Sequence, residues 1–242
     1  MNLTITNIAF VDDLPEQREK IASAIKQTKQ FKTLITATGG RDLLLQLILA
    51  KQLPHLILMD IQMPCCDGVL TTSICKRLFP NIKIVGISSH TSPEVISEFI
   101  AEGGNGFFSK FIVQKNSGLY KQSMVDEDFF ENALIKILNE NAIYFDPLTA
   151  YIPEDYNIKL STKKIIAKNF SFLSNNEIIY LQLNAAGFTQ KEMSQILYVE
   201  VPTIKKYQEK MCKTFNAKSH TDLISVSLSV GIVKMAKFYQ TY

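Results

Sequence analysis

The sequence predicts an α/β fold, a doubly wound five-stranded parallel sheet, followed by a small all-α domain. Three observations predict it. Between Ile5 and Asn139, short apolar runs alternate with helix-patterned stretches. Several of those runs close on an acidic or hydroxyl residue. Beyond Phe170, four helical patterns follow one another with no strand-like run between them. Right-handed crossovers turn alternating strand–helix units into an open parallel sheet with helices on both faces.

Ile5–Val11 is the first strand and ends in Asp12-Asp13. Pro15 opens a helix to Thr28, because a first-turn N–H has no helical partner to lose. Phe31–Thr36 is the second strand, and Gly39-Gly40 precede a helix with Leu43, Leu44, Leu47 and Ile48 at helical spacing. Leu56–Met59 is continuously apolar, as in a strand covered on both faces, and it ends in Asp60. A helix over Val69–Phe79, the strand Ile82–Ser88, a helix over Ser92–Ala101 and a short strand at Phe107-Phe108 follow. Asp126–Asn139 makes the last helix of this region, with Phe129, Phe130, Ala133, Leu134 and Ile137 on one side.

The 242 residues suit two domains, since domains commonly hold about 100–200 residues. The expected bounds are 1–141 for the α/β domain, 142–170 for a linker interrupted by Pro147 and Pro153, and 171–242 for the helical domain. Leu43–Ala50 is the longest apolar run and is far short of the roughly 20 residues that span a bilayer. The N-terminus has no basic region or small-residue cleavage signal, so no membrane partner and a cytoplasmic location are expected. Cys65, Cys66, Cys75 and Cys212 form no CxxC pair, which argues against zinc and thioredoxin-like chemistry. Residues 1–145 carry 14 Lys/Arg against 15 Asp/Glu, and the remainder 12 against 8. The positive excess therefore sits in the helical domain and favours a polyanionic partner.

Asp12, Asp13 and Asp60 converge at strand ends, where open α/β sheets place their sites. Clustered carboxylates repel one another, and a hard cation such as Mg²⁺ relieves that repulsion through oxygen ligands. Aspartate is also a nucleophile for phosphoryl transfer. Ser88 closes the fourth strand with a hydroxyl, and Lys110 after the fifth supplies a point charge for phosphoryl oxygens.

Asp12-Asp13, MDIQMPCCDG, Ser88 and GGNGFFSK resemble the signature positions of receiver domains, whose fold is flavodoxin-like. The resemblance implies that Asp60 is the phosphoacceptor, charged by a phosphohistidine of a sensor histidine kinase. It implies that Asp13, Asp60 and the backbone carbonyl of Gln62 hold Mg²⁺, with Asp12 acting mainly through water. Ser88 and Phe107 become the switch pair and Lys110 the phosphate-binding lysine. On phosphorylation Ser88 and Lys110 are expected to move toward the phosphoryl group, and Phe107 to turn inward. The chain departs from the family after Lys110, where FIVQKNSGLYKQSMV is longer than usual.

In the helical domain, Ser174 with Glu177 and Thr189 with Glu192 have capping-box spacing, and Gly187 suits the stop between two helices. Pro202 falls in the first turn of a third helix carrying Lys205, Lys206, Lys210 and Lys213. Two short helices joined by a tight turn fit a helix-turn-helix whose later helix enters the major groove. Lys206, Lys210 and Lys213 share one face and suit phosphate contacts. Residues 171–228 resemble the LuxR-type helix-turn-helix of NarL- and FixJ-like response regulators. The resemblance implies contacts to double-stranded DNA from Lys191, Thr203, Lys205, Lys206, Tyr207, Lys210 and Lys213, and a homodimer on paired half-sites. Tyr207, Thr214, Asn216 and His220 depart from the family's usual residues, and Glu200 stands where an N-capping Ser is normal.

The expected function is thus a DNA-binding transcriptional regulator switched by phosphorylation, and not an enzyme beyond Mg²⁺-dependent self-phosphorylation and slow self-dephosphorylation. An aspartyl-phosphate hydrolase commonly needs a second acid two residues past its nucleophile, where this chain has Gln62. The alternative reading is a signalling adaptor whose C-terminal helices bind protein.

Overall fold

The computed structural model describes residues 5–89, 92–113, 129–140, 143–145 and 170–236. Six strands form one parallel sheet: β1 (Thr6–Val11), β2 (Phe31–Ala37), β3 (Leu56–Asp60), β4 (Lys83–Ser88), β5 (Gly106–Ser109) and β6 (Tyr144–Phe145). Their order is β2-β1-β3-β4-β5-β6. The helices of this region are α1 (Pro15–Gln27), α2 (Gly40–Leu49), α3 (Gly68–Leu78), α4 (Pro93–Ala101) and α5 (Phe129–Asn139). A short 3-10 turn, Lys110–Val113, follows β5.

The strand count corrects the expected five. β6 lies in the stretch read as linker and adds to the sheet edge, pairing Tyr144 with Gly106 and Phe145 with Phe107. Gly106 permits this approach, because a Cβ there would stand 2.6 Å from the Tyr144 carbonyl oxygen. The long segment after Lys110 and the start of the expected Asp126 helix lie largely outside the described residues.

Strand alternation divides the core. Ile8, Phe10, Leu56, Leu58, Val85 and Phe108 face Ile21 and Ile25 of α1 and Leu134 and Ile137 of α5. Ala9, Val11, Ile57, Met59 and Ile84 face the other way, toward α2, α3 and α4. The second cluster does not stop at these helices. It continues into the C-terminal helices α6 (Asn175–Ala185), α7 (Gln190–Leu197), α8 (Val201–Thr214) and α9 (His220–Ser229).

This continuity explains α3. An amphipathic surface helix keeps one polar face in water. Every α3 residue from Gly68 to Cys75 is instead buried, Thr71, Thr72 and Ser73 included. The sheet covers one side of α3, and α6 packs on the helix as well. Thr71 meets its hydroxyl's needs locally by donating to the Asp67 carbonyl at 2.6 Å.

The helix starts follow the sequence. Asp67 caps α3, accepting from the Leu70 N–H at 2.8 Å. Both expected capping boxes form, Ser174 with Glu177 on α6 and Thr189 with Glu192 on α7. Such caps are each worth about 1 kcal/mol. α8 begins after Glu200 without a side-chain cap, as the departure from the family's Ser suggests. Tyr198 turns the chain between α7 and α8 in the left-handed region, at φ 52°.

Candidate functional site

β1 and β3 are adjacent and parallel, so their carboxyl ends lie side by side. This places Asp12, just past β1, next to Asp60, the last residue of β3. Asp12, Asp13 and Asp60 offer carboxylate oxygens that all lie within 4.8 Å of one another. Asp12 and Asp60 are buried, while Asp13 is half-buried. Lys110, buried at the end of β5, bridges the pair: its Nζ lies 2.6 Å from Asp12 Oδ2 and 3.0 Å from Asp60 Oδ1. Ser88 is buried at the end of β4. Asp12, Asp13, Asp60 and Lys110, expected to form one pocket, are together, and Ser88 closes the strand next to β3.

Burial pushes the Asp60 carboxyl up from 3.8 to about 6. Lys110 works against this, Asp12 adds to it, and a hydrogen bond from the Gln62 backbone N–H opposes it weakly. The donor set fits a hard divalent cation. It is made of oxygens, and apart from the Lys110 charge, Asp12 Oδ2 and Asp60 Oδ1 have no hydrogen-bond partner among the described residues. The Gln62 backbone carbonyl belongs to the same loop as Asp60.

That loop is held by close backbone packing. A Cβ on Gly68 would fall 2.3 Å from the Asp60 carbonyl oxygen and 2.8 Å from Ile61 Cα. The Gly68 N–H donates to the Ile61 carbonyl at 3.1 Å. Arg18, which sequence reasoning missed, holds the β1–α1 loop from the other side. Its guanidinium donates to the carbonyls of Asp12 at 2.8 Å and Asp13 at 3.0 Å. Its place one turn into α1, directly below the acidic pair, is the signal that could have revealed it.

Phe107, the other expected switch residue, lies on β5. It is fully buried and packs edge-on against Phe99, with ring centroids 5.7 Å apart. Its ring is thus part of the receiver core. Gly86, its register partner on β4, makes the room. A Cβ there would lie 2.8 Å from the Phe107 ring.

In the helical region, Lys191, Lys205, Lys206 and Lys213 are exposed and Thr203 is half-buried. Two expected DNA contacts are engaged elsewhere. Tyr207 packs against Tyr180 at 6.0 Å between ring centroids, so its ring belongs to the domain core. Lys210 forms an ion pair with Glu177, the acid that completes the α6 capping box. Leu223 and Ser227 of α9 are buried, as are Ile232 and Val233 beyond it, so much of the stretch from Leu223 to Val233 packs within this chain. Among the described residues, no helix is long and apolar enough to cross a membrane.

The two regions also touch. Arg41 on α2 meets the Glu192 carboxylate with Nη2 at 2.5 Å and stacks over the Phe188 ring at 5.3 Å. Gln182 on α6 donates to Ser73 on α3 at 2.8 Å, and Ser73 donates to Glu102 at 2.5 Å. Arg77 donates to Asn175 at 3.0 Å, and Tyr198 to the Ile48 carbonyl at 3.3 Å.

Residues 8–117 match the response regulator receiver domain, and residues 171–227 match the bacterial regulatory proteins of the luxR family. The chain is 26% identical to the transcriptional regulatory protein YxjL of Bacillus subtilis (strain 168), over 97% of this chain and 100% of YxjL. It is 22% identical to the transcriptional regulatory protein DegU of Brevibacillus brevis, over 94% of this chain and 95% of DegU. Among solved structures, the response regulator RcsB of Salmonella typhimurium is similar with a TM-score of 0.47 and 18% identity, covering 93% of this chain and 99% of RcsB.

Proposed function

Because the chain belongs to the response regulators, a receiver domain joined to a LuxR-type DNA-binding helix-turn-helix, we propose that Asp60 is its phosphoacceptor and α8 its DNA-reading helix. The observation that carries the first assignment is the junction of Asp12, Asp13 and Asp60 with Lys110 at one rim of the sheet. With a carboxyl that titrates at about 6, Asp60 is mainly ionised at neutral pH and can act as a nucleophile. One Asp60 oxygen forms a bond to phosphorus as the P–N bond to the donor histidine of a sensor kinase breaks. The electron pair and a solvent proton pass to the imidazole nitrogen. Lys110, already against Asp60, remains as counter-charge for the phosphoryl oxygens, and Ser88 supplies a hydroxyl at the same rim. Asp12, Asp13, Asp60 and the Gln62 carbonyl would hold Mg²⁺, which supplies charge neutralisation for the transfer.

On the DNA side, Lys191, Thr203, Lys205, Lys206 and Lys213 remain the proposed contacts, with the lysines acting on phosphates. Lys210 joins them only by giving up Glu177. Pairing of two copies on half-sites and a cytosolic location complete the reading, together with slow self-dephosphorylation. The test is transfer from labelled phosphoramidate with Mg²⁺ to the full chain and to Asp60→Asn. Label on the wild type alone is expected; equal labelling of both proteins refutes Asp60. Binding to random duplex DNA at two salt concentrations tests α8, and salt-independent binding would count against phosphate contacts.

A further inference from the structure

The segment Gly231–Ala236 lies beyond the helix-turn-helix and has no part in the function proposed above, yet it reaches the phosphoacceptor loop. The chain reverses at Gly231, whose φ is +76°, and the N–H groups of Ile232 and Val233 both donate to the Ser227 carbonyl at 3.1 Å. Ile232 and Val233 are then buried. Lys234 pairs with Glu98 on α4 at 2.8 Å and lies 3.8 Å from Glu102. The Ala236 N–H donates to Asp67 Oδ2 at 2.6 Å, and both residues are buried. The other Asp67 oxygen caps α3. One carboxylate thus joins the end of the phosphoacceptor loop, the start of α3 and the segment after α9.

We propose that Gly231–Ala236 is a latch that holds the DNA-binding helices on the receiver and reports the state of Asp60 to them through Asp67. This rests on the phosphoacceptor reading above and names how that site would be coupled to the helices. The coupling is mechanical. Gly68 lies against the Asp60 carbonyl with no room for a Cβ, so a shift of the Asp60 backbone carries Gly68 and its neighbour Asp67 with it. A short, buried hydrogen bond is lost over a small displacement.

The interface behind the latch suits release. Gln182 Oε1 on α6 and Thr72 Oγ1 on α3 are buried without hydrogen-bond partners among the described residues, and so are both amide atoms of Asn184. Buried polar groups left unpaired work against the closed state. The closed state also leaves Lys205, Lys206 and Lys213 exposed, so the receiver does not act by covering those lysines. The latch instead restrains where α8 can be carried, which decides how two copies reach paired sites. The element is one that both sites can bias, as coupling between sites requires.

Two variants of the full chain test it. Ala236→Pro removes the donor N–H and leaves the Asp67 cap on α3 intact; Lys234→Glu reverses the charge facing Glu98 and Glu102. Hydrogen exchange is followed across α3 and α6, with and without beryllium fluoride and Mg²⁺ as the phosphoryl mimic, beside binding to random duplex DNA. In wild type, the mimic is expected to speed exchange at this interface by about fivefold or more, within the usual range of coupling between sites. Both variants should exchange at the faster rate before the mimic is added and gain less than about twofold from it, with the DNA response reduced in parallel. Wild-type exchange rates together with a full response in both variants would overturn the latch while leaving Asp60 in place. No response in wild type, together with no labelling of Asp60, would remove the phosphoacceptor reading and the latch with it.

Discussion

Replacing Asp60 by Asn tests the electrostatics of the pocket without phosphate or DNA. Protonated aspartate and asparagine have the same shape and no charge, so Asp60→Asn fixes the neutral state. Burial raises the wild-type carboxyl from 3.8 to about 6. The folded protein therefore holds this proton between about pH 4 and 6 while the unfolded chain releases it, and wild-type stability falls as pH rises through that window. The span from 3.8 to about 6 corresponds to about 3 kcal/mol, at about 1.4 kcal/mol per tenfold change in proton affinity. In EDTA at pH 7.5, Asp60→Asn should be more stable than wild type by about 3 kcal/mol, or about 6–12 °C in Tm for a chain of this size. The gap should close near pH 4. Burial raises Asp67 to about 6 as well, but Asp67 is present in both proteins and cancels. Thermal unfolding by circular dichroism across this pH range reads the difference directly. Millimolar Mg²⁺ should raise the wild-type Tm and leave Asp60→Asn unmoved. A variant no more stable than wild type at pH 7.5, or a gap that does not shrink on acidification, would refute the reasoning.

Gly68→Ala places a methyl 2.3 Å from the Asp60 carbonyl oxygen, so it should destabilise by several kcal/mol in denaturant titration and lower phosphoryl uptake. Gly86→Ala crowds the Phe107 ring at 2.8 Å; a loss of about 1–3 kcal/mol is expected, with fluorine NMR of labelled phenylalanine reporting a more exposed Phe107. Lys206→Ala and Lys213→Ala should each lower the salt slope of DNA binding by about 1, with little dependence on sequence. Lys210→Ala should instead destabilise the helical domain, since it removes the cation paired with the buried Glu177 carboxylate and leaves it only its capping-box bond.

The acidic pocket was legible because its residues sit at strand ends. A strand-end position follows from where an apolar run stops, and the switch point of an open sheet then brings Asp12 and Asp60 together. What was not legible depends on surfaces meeting. Tyr144 and Phe145 form a two-residue strand paired with the edge of β5, and no periodicity marks so short a run. Nothing local in the sequence marks the bond between Ser73 and Gln182 of α6, although the absence of any charge from Gly68 to Cys75 hints at an enclosed helix. Tyr207 and Lys210 were assigned to DNA by family resemblance, and their partners Tyr180 and Glu177 lie on another helix. Arg41 and Glu192 are far apart in sequence, and only docking joins them.

The enclosure of α3 has a consequence for how this protein can be taken apart. Because one apolar cluster runs from beneath the sheet through α3 into α6 and beyond, the seam between the two units joins interior side chains to polar contacts at its edge. Severing the chain ahead of Phe170 would therefore strip cover from both apolar side chains and polar groups such as Ser73, whose partner Gln182 would be gone. Such a fragment would need new cover along α3 to stay dispersed, whereas a protein whose modules merely hang from a tether yields each of them ready to use.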